Sequence, residues 1–170
     1  LKNIVLIGFM ATGKTTIGES LSQKINADFI DTDLLVEEIE NMSINNIFKQ
    51  KGEIYFRDLE TFILKKIVGR ENIVLSTGGG IIEKDINIDL LKKIGIVVWL
   101  NASKNTIIRN LKMSNIQRPL LENENLDKKI TALLNNRIDK YKKASDIIVD
   151  VDDKNIQEVV FSILFNLNKV

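Results

Sequence analysis

The sequence predicts an α/β fold, a three-layer αβα sandwich built on a five-stranded parallel sheet. Two features carry that expectation. Five short apolar runs alternate with stretches of helical spacing, and such alternation winds a parallel sheet with helices on both faces. The first run, Asn3-Ile-Val-Leu-Ile-Gly8, is continuously apolar, as a strand covered on both sides must be. At 170 residues the chain fits one domain spanning 1–170, and 44% hydrophobic residues suffice for a sizeable core.

Each element has its own signal. After the first strand, Ile17, Leu21 and Ile25 fall on one face of a helix over 14–25. A second strand over 27–31 leads to a helix carrying Leu34, Leu35, Val36 and Ile39. Two helical stretches, 44–51 and 53–68, leave Gly52 between them. Strands three and four are 73–76 and 96–100; Leu90, Leu91 and Ile94 mark a helix before the fourth, and 106–111 is a helix after it. The polar, Asn-rich segment 112–125 has little periodicity. A helix over 127–143, a last strand over 146–151 and an amphipathic helix over 155–167 complete the chain. No apolar stretch approaches the ~18–20 residues of a membrane span, and the first run is too short for a signal peptide, so a cytoplasmic location is expected.

Composition narrows the chemistry. Lys and Arg total 24 against 23 acidic residues, a net charge of +1 that offers no broad field for nucleic acid or an anionic membrane. With no Cys and no His, disulfide scaffolds, Cys/His zinc sites and imidazole-dependent nucleophiles are excluded. Carboxylates, amines, guanidinium groups, hydroxyls, backbone and bound metal remain, an inventory suited to reactions run by positioning and electrostatics. Lys outnumbers Arg 19 to 5, so arginine is expected where a planar, bidentate fork matters.

Ligands of such sheets bind outside the carboxyl ends of the strands. Three motifs fall there. After strand one, Gly8-Phe-Met-Ala11-Thr12-Gly13-Lys14-Thr15 matches G-x-x-x-x-G-K-[ST], a loop whose amides cradle phosphate ahead of a helix N-terminus. Lys14 reaches terminal phosphates and the Thr15 hydroxyl is placed for Mg²⁺. A glycine turn with an ordinary surface lysine is the bland alternative, and the strand–loop–helix context speaks against it. At the end of strand two, Asp31-Thr32-Asp33 sets two carboxylates two residues apart, on the same side of an extended segment. One suits a nucleotide-bound metal through water and the other an acceptor hydroxyl; capping of the next helix would explain one acid but not both. After strand three, the triplet Gly78-Gly79-Gly80 requires close backbone approach or positive φ. Arg118, beside the single proline in Arg118-Pro119-Leu120-Leu121, suits a lid over transferring phosphate. Arg70 follows Gly69 at a helix end, as a charge facing the helix C-terminus would. Spacing alone leaves Arg57 and Arg137 unassigned on their helices.

The phosphate loop, Asp31-Thr-Asp33, Phe56-Arg57, Gly78-Gly-Gly80, Arg118-Pro-Leu-Leu121 and Arg137-x-x-x-Tyr141, in that order and spacing, resemble the shikimate kinases over about the whole chain. The resemblance implies a P-loop sandwich like that of the nucleoside-monophosphate kinases, with sheet order 2-3-1-4-5, substrate-binding helices over about 32–68 and a lid over about 112–125. It implies transfer of the ATP γ-phosphate to the 3-hydroxyl of shikimate, giving shikimate 3-phosphate and ADP for aromatic amino-acid biosynthesis, by a monomer. ATP would bind Gly8, Ala11, Thr12, Gly13, Lys14, Thr15, Thr16 and Arg118. Mg²⁺ would meet Thr15 directly and Asp31 through water. Shikimate would be held by Asp33, Arg57, Gly78, Gly79, Gly80 and Arg137, with Lys14, Asp33 and Arg118 catalytic.

The chain departs from the family pattern at Ala11, where glycine is frequent; a positive φ there would strain the loop by ~1 kcal/mol. Of the adenine-stacking positions, Arg109 is out of register, and Ile156 stands where proline is sometimes found. Other expectations are weighed against this one: a kinase of gluconate or of a nucleoside monophosphate, and a non-catalytic nucleotide-binding relative. A GTPase switch is excluded for want of N-K-x-D, and a degenerate relative should have lost Lys14, Asp33 or the arginines.

Overall fold

The computed structural model describes residues 2–114 and 125–169. Strands β1 (Ile4–Ile7), β2 (Asp28–Asp31), β3 (Ile73–Ser76), β4 (Ile96–Asn101) and β5 (Ile147–Asp150) pair in parallel in the order β2-β3-β1-β4-β5. The helices are α1 (Lys14–Ile25), α2 (Thr32–Glu40), α3 (Ile44–Ile67), α4 (Asp85–Ile94), α5 (Lys104–Met113), α6 (Leu126–Ala144) and α7 (Ile156–Leu167). A 3₁₀ turn at Ile81–Glu83 follows the glycine triplet.

The uninterrupted apolar character of β1 has a direct cause. Val5 and Ile7 face a cluster with Ile63, Leu91, Trp99 and Tyr141, under α3, α4 and α6. Ile4 and Leu6 face the opposite cluster with Leu21, Val98 and Ile163, under α1 and α7. All four β1 residues are buried, so the two-residue period of a strand fills both layers with hydrophobic side chains. Phase and loop lengths then bring the carboxyl ends of β1, β2 and β3 to one edge. The registers Leu6↔Ser76 and Asp31↔Ser76 put the three chain exits side by side.

Two features of the elements bear on function. Helix α3 is broken at Gly52, whose φ of 83° no helical residue adopts and whose missing Cβ faces open space. This is the interruption expected between 51 and 53. The second feature corrects an expectation: Asp33 is not on an extension of β2. Asp31 already caps α2, accepting the N–H groups of Asp33 (2.9 Å) and Leu34 (3.4 Å), so the helix begins at Thr32. The two carboxylates therefore diverge in role, one at the helix cap and one in its first turn.

Candidate functional site

At the carboxyl end of β1 the chain turns through positive φ at Gly8 (152°), Ala11 (60°) and Gly13 (85°). Gly8 cannot carry a side chain for a second reason, since a Cβ there would lie 2.6 Å from the Leu100 carbonyl. Helix α1 starts from Gly13 with no side-chain cap, so its first N–H groups are offered to the loop's concave side. The Thr12 hydroxyl closes the loop from beneath by donating to the Phe9 carbonyl at 2.9 Å. Lys14 is buried, its ammonium donating to the carbonyls of Gly8 (2.9 Å) and Phe9 (2.8 Å). Ala11 does occupy the left-handed region, which costs about 1 kcal/mol for a residue with a Cβ. Its carbonyl is held by the Asn110 side chain of α5 at 2.8 Å.

Asp31 serves two elements at once. Oδ1 caps α2, and Oδ2 accepts the Thr15 hydroxyl at 2.8 Å, tying the start of α1 to the end of β2. A cleft of about 330 Å³ opens between these groups, lined by Met10, Ala11, Gly13, Lys14, Thr15, Thr16, Asp31, Asp33, Thr77, Gly79, Asn110 and Ser114. Gly8 and Thr12, which belong to the loop, are buried and are not among the residues lining this cleft.

The glycine triplet owes its composition to close approach; none of its residues has positive φ. A Cβ on Gly78 would meet Asp33 Oδ1 at 2.6 Å and Glu60 Oε1 at 3.0 Å. One on Gly79 would stand 3.1 Å from the Met10 amide of the phosphate loop. One on Gly80 would fall on the Arg57 guanidinium, 2.5 Å from Cζ. Thr77 and Thr32 fix the triplet's approach: the Thr77 hydroxyl donates to Leu6 O at 2.9 Å, and Gly78 N–H donates to the Thr32 hydroxyl at 3.1 Å.

Arg57 of α3 packs against Gly80 of this triplet and Arg137 of α6 reaches Glu83 in the turn that follows it; both are buried, Arg57 being 7% exposed and Arg137 2%. Arg57 Nη1 donates to Glu60 Oε2 at 2.8 Å, and its Nε and Nη2 donate to Glu53 Oε1 at 3.3 and 3.2 Å. Arg137 Nε donates to Glu83 Oε1 at 2.7 Å, while Lys140 holds the other oxygen of that carboxylate at 2.8 Å. Two hydrogen-bonded cations outweigh burial there and keep the Glu83 carboxyl below its usual range. Tyr141, fully buried, donates to Gly79 O at 2.5 Å, and burial pushes its phenol upward. Glu60 is the most perturbed carboxyl of the group. Burial, only partly offset by Arg57 and reinforced by Asp33, raises it to about 7.

Spacing placed the loop, Asp31, Asp33 and the triplet at one edge, and the family resemblance added Arg57 and Arg137; Asp31, Asp33 and Gly79 line the cleft with the loop, Arg57 packs on Gly80, and Arg137 pairs with Glu83 just beyond the triplet. Sequence reasoning passed over Glu53, Glu60, Glu83 and Asn110. For two of these a signal existed: Glu53 and Glu60 stand four before and three after Arg57, the spacings that share a helix face. Arg118 and most of the 112–125 segment lie outside the described residues. Arg109 is exposed, 4.0 Å from Asp153.

The fold and this edge define the class: a phosphate-binding-loop kinase of the three-layer α/β type. The shikimate kinase family profile matches residues 10–168. A shikimate kinase of Sulfurihydrogenibium sp. is 43% identical over 169 residues, covering 99% of each chain. A solved structure of shikimate kinase from Acinetobacter baumannii in complex with shikimate superposes with a TM-score of 0.95 at 32% identity, over 99% of this chain and 94% of that one. A gluconokinase from Sinorhizobium meliloti shares the fold alone, at a TM-score of 0.58 and 14% identity over 98% of this chain and 91% of that one. The chain belongs to the shikimate kinase family, whose members are ATP-dependent kinases that phosphorylate a hydroxyl of shikimate in the pathway to aromatic amino acids.

Proposed function

We propose that this cleft aligns the γ-phosphoryl group of ATP with the 3-hydroxyl of shikimate, yielding shikimate 3-phosphate and ADP. The observation that supports the reading is that the Asp33 carboxylate and the buried Arg57 guanidinium pack on a glycine triplet whose Gly79 lies against the phosphate loop, with the buried Arg137 bonded to Glu83 in the turn that follows. A hydroxylated carboxylic acid needs an acceptor for its hydroxyls and cationic forks for its carboxylate, and that set supplies both.

Roles follow from place. The loop amides and the α1 N-terminus bind the phosphates, and the Lys14 ammonium transfers from the loop carbonyls to the terminal phosphate oxygens. Asp33 orients the acceptor hydroxyl and receives its proton. Arg57 and Arg137 fix the acid's carboxylate, so that the ring cannot turn a different hydroxyl toward the phosphorus. Phosphoryl transfer through a loose transition state asks for alignment and charge neutralisation more than for a strong base, which a chain without histidine can provide. Arg118 is assigned to charge neutralisation at the phosphates on its sequence motif.

The Thr15 hydroxyl and Asp31 carboxylate, 2.8 Å apart at the loop's mouth, are hard oxygen donors of the kind Mg²⁺ takes alongside nucleotide phosphates. Among the described residues no group of three or more acidic residues forms a self-sufficient metal cage, so phosphate oxygens and water would complete the shell. Bound there, Mg²⁺ would neutralise charge on the phosphates.

The test is ADP release with shikimate, quinate, gluconate and AMP offered in turn. Turnover with shikimate far above the others is expected; preference for gluconate or AMP would overturn the assignment of the acid site.

A further inference from the structure

Arg57 already pairs with two carboxylates before any substrate is considered. A guanidinium has five N–H bonds, and three of Arg57's are committed, one to Glu60 and two to a single oxygen of Glu53. The edge formed by Nε and Nη2 is one of the two on a guanidinium suited to bidentate capture of a carboxylate, and Glu53 occupies it. Charge tells the same story. Arg57 faces Glu53 and Glu60, Asp33 lies close enough to act on Glu60, and past the triplet Glu83 is shared by Arg137 and Lys140. Bringing a further carboxylate to a guanidinium that holds two is repulsive unless one of them gives way.

The two are not equal. The Glu60 side chain is fully buried and its bond to Arg57 is 2.8 Å. Glu53 is 49% exposed, its bonds are 3.2 and 3.3 Å, and it follows directly on Gly52, where α3 breaks. A carboxylate that leaves Glu53's position finds water at once; one that leaves Glu60's does not.

We propose that Glu53 is a displaceable counter-ion that competes with the substrate's carboxylate for the Nε–Nη2 edge of Arg57. Glu60 is then the fixed partner that positions the guanidinium over Gly80, and Glu53 the one exchanged into water when the acid enters. The consequence is unusual for an acidic residue touching a binding arginine: removing its charge tightens binding. The proposal rests on the reading that Arg57 receives the acid's carboxylate.

The experiment compares the full chain with E53Q and R57A, measuring KM for shikimate and for ATP, kcat, and the shikimate dissociation constant by calorimetry without nucleotide. For E53Q the shikimate KM and dissociation constant should fall by about two- to fivefold, the range of a half-exposed ion pair, with the ATP KM and kcat unmoved. For R57A the shikimate KM should rise. A rise or no change with E53Q, while R57A raises KM, would mean that Glu53 only props Arg57 and would overturn the proposal alone. An unmoved shikimate KM in R57A would remove the site reading, and the proposal with it.

Discussion

Gly80→Ala probes the acid site through a single methyl group. Gly80 has φ −100° and ψ 7°, a conformation alanine also adopts, so the backbone itself is not strained by the change. The added Cβ would nevertheless lie 2.5 Å from Arg57 Cζ and closer to both terminal nitrogens. Arg57 cannot slide aside at no cost, because Glu60 at 2.8 Å and the surrounding α3 packing hold it buried. Something must move, and the movable part is the guanidinium's aim. A charge-assisted hydrogen bond to a carboxylate is worth about 1.5–3 kcal/mol, so losing it should raise the shikimate KM by about 10- to 150-fold. In the proposed arrangement ATP is held by the neighbouring loop and not by Arg57, so its KM should stay within about twofold of the parent. Steady-state kinetics with each substrate varied in turn, beside a urea melt confirming the fold, decides it. A G80A variant that folds and keeps the parent's shikimate KM would refute the claim that Arg57, packed on Gly80, reads the acid.

Lys14→Met should lower kcat at least about 100-fold, as removal of one charge-stabilising donor does elsewhere, and near-parent turnover would remove the phosphate-loop assignment. Ala11→Gly should relieve the positive φ of 60° and shift the urea midpoint toward higher stability by up to about 1 kcal/mol; a loss would mean that the Asn110 clamp already absorbs the strain. Glu60, raised from 4.5 to about 7, stabilises the fold fully below pH 4.5, and that contribution is lost as pH rises through about 7. Relative to E60Q, which does not titrate, the parent should therefore lose on the order of 3 kcal/mol between pH 4.5 and 8, and a pH-independent difference between the two in urea melts would contradict burial as the cause of the raised carboxyl. Arg118→Ala should chiefly lower kcat in the same kinetic assay; an unchanged kcat would place the phosphate-neutralising arginine elsewhere.

How far the sequence was legible depends on how many segments a feature draws from. The strand–helix alternation and the phosphate loop rest on local signals, a continuous apolar run, two glycines at fixed spacing and a helix start, whereas the sheet order came only with the family resemblance. Asp31 and Asp33 were found, but the sequence spoke of an extended pair. An aspartate just ahead of an apolar helical face is itself a helix start, and in this chain one oxygen caps while the other receives Thr15. The acid site was less accessible because it is assembled from α3, the turn at Ile81–Glu83 and α6. Arg57 and Arg137 gained a role only through the family resemblance, and Glu83 pairs with Arg137 across 54 residues with no local spacing to announce it.

That crowd of acids around the arginines follows from burying cations to meet an anion. A guanidinium held out of water for an incoming carboxylate would be costly if left without a partner, so the fold must supply carboxylates of its own. Too firm a partner, though, leaves the ligand nothing to gain. The chain resolves the conflict by unequal burial: Glu60 grips Arg57 from the buried side, and Glu53 holds the Nε–Nη2 edge from the solvent side of a helix break. Specificity for a hydroxylated acid then comes from what each candidate can replace. A neutral sugar cannot substitute for Glu53's charge, and a dianion would press against Glu60 and Asp33.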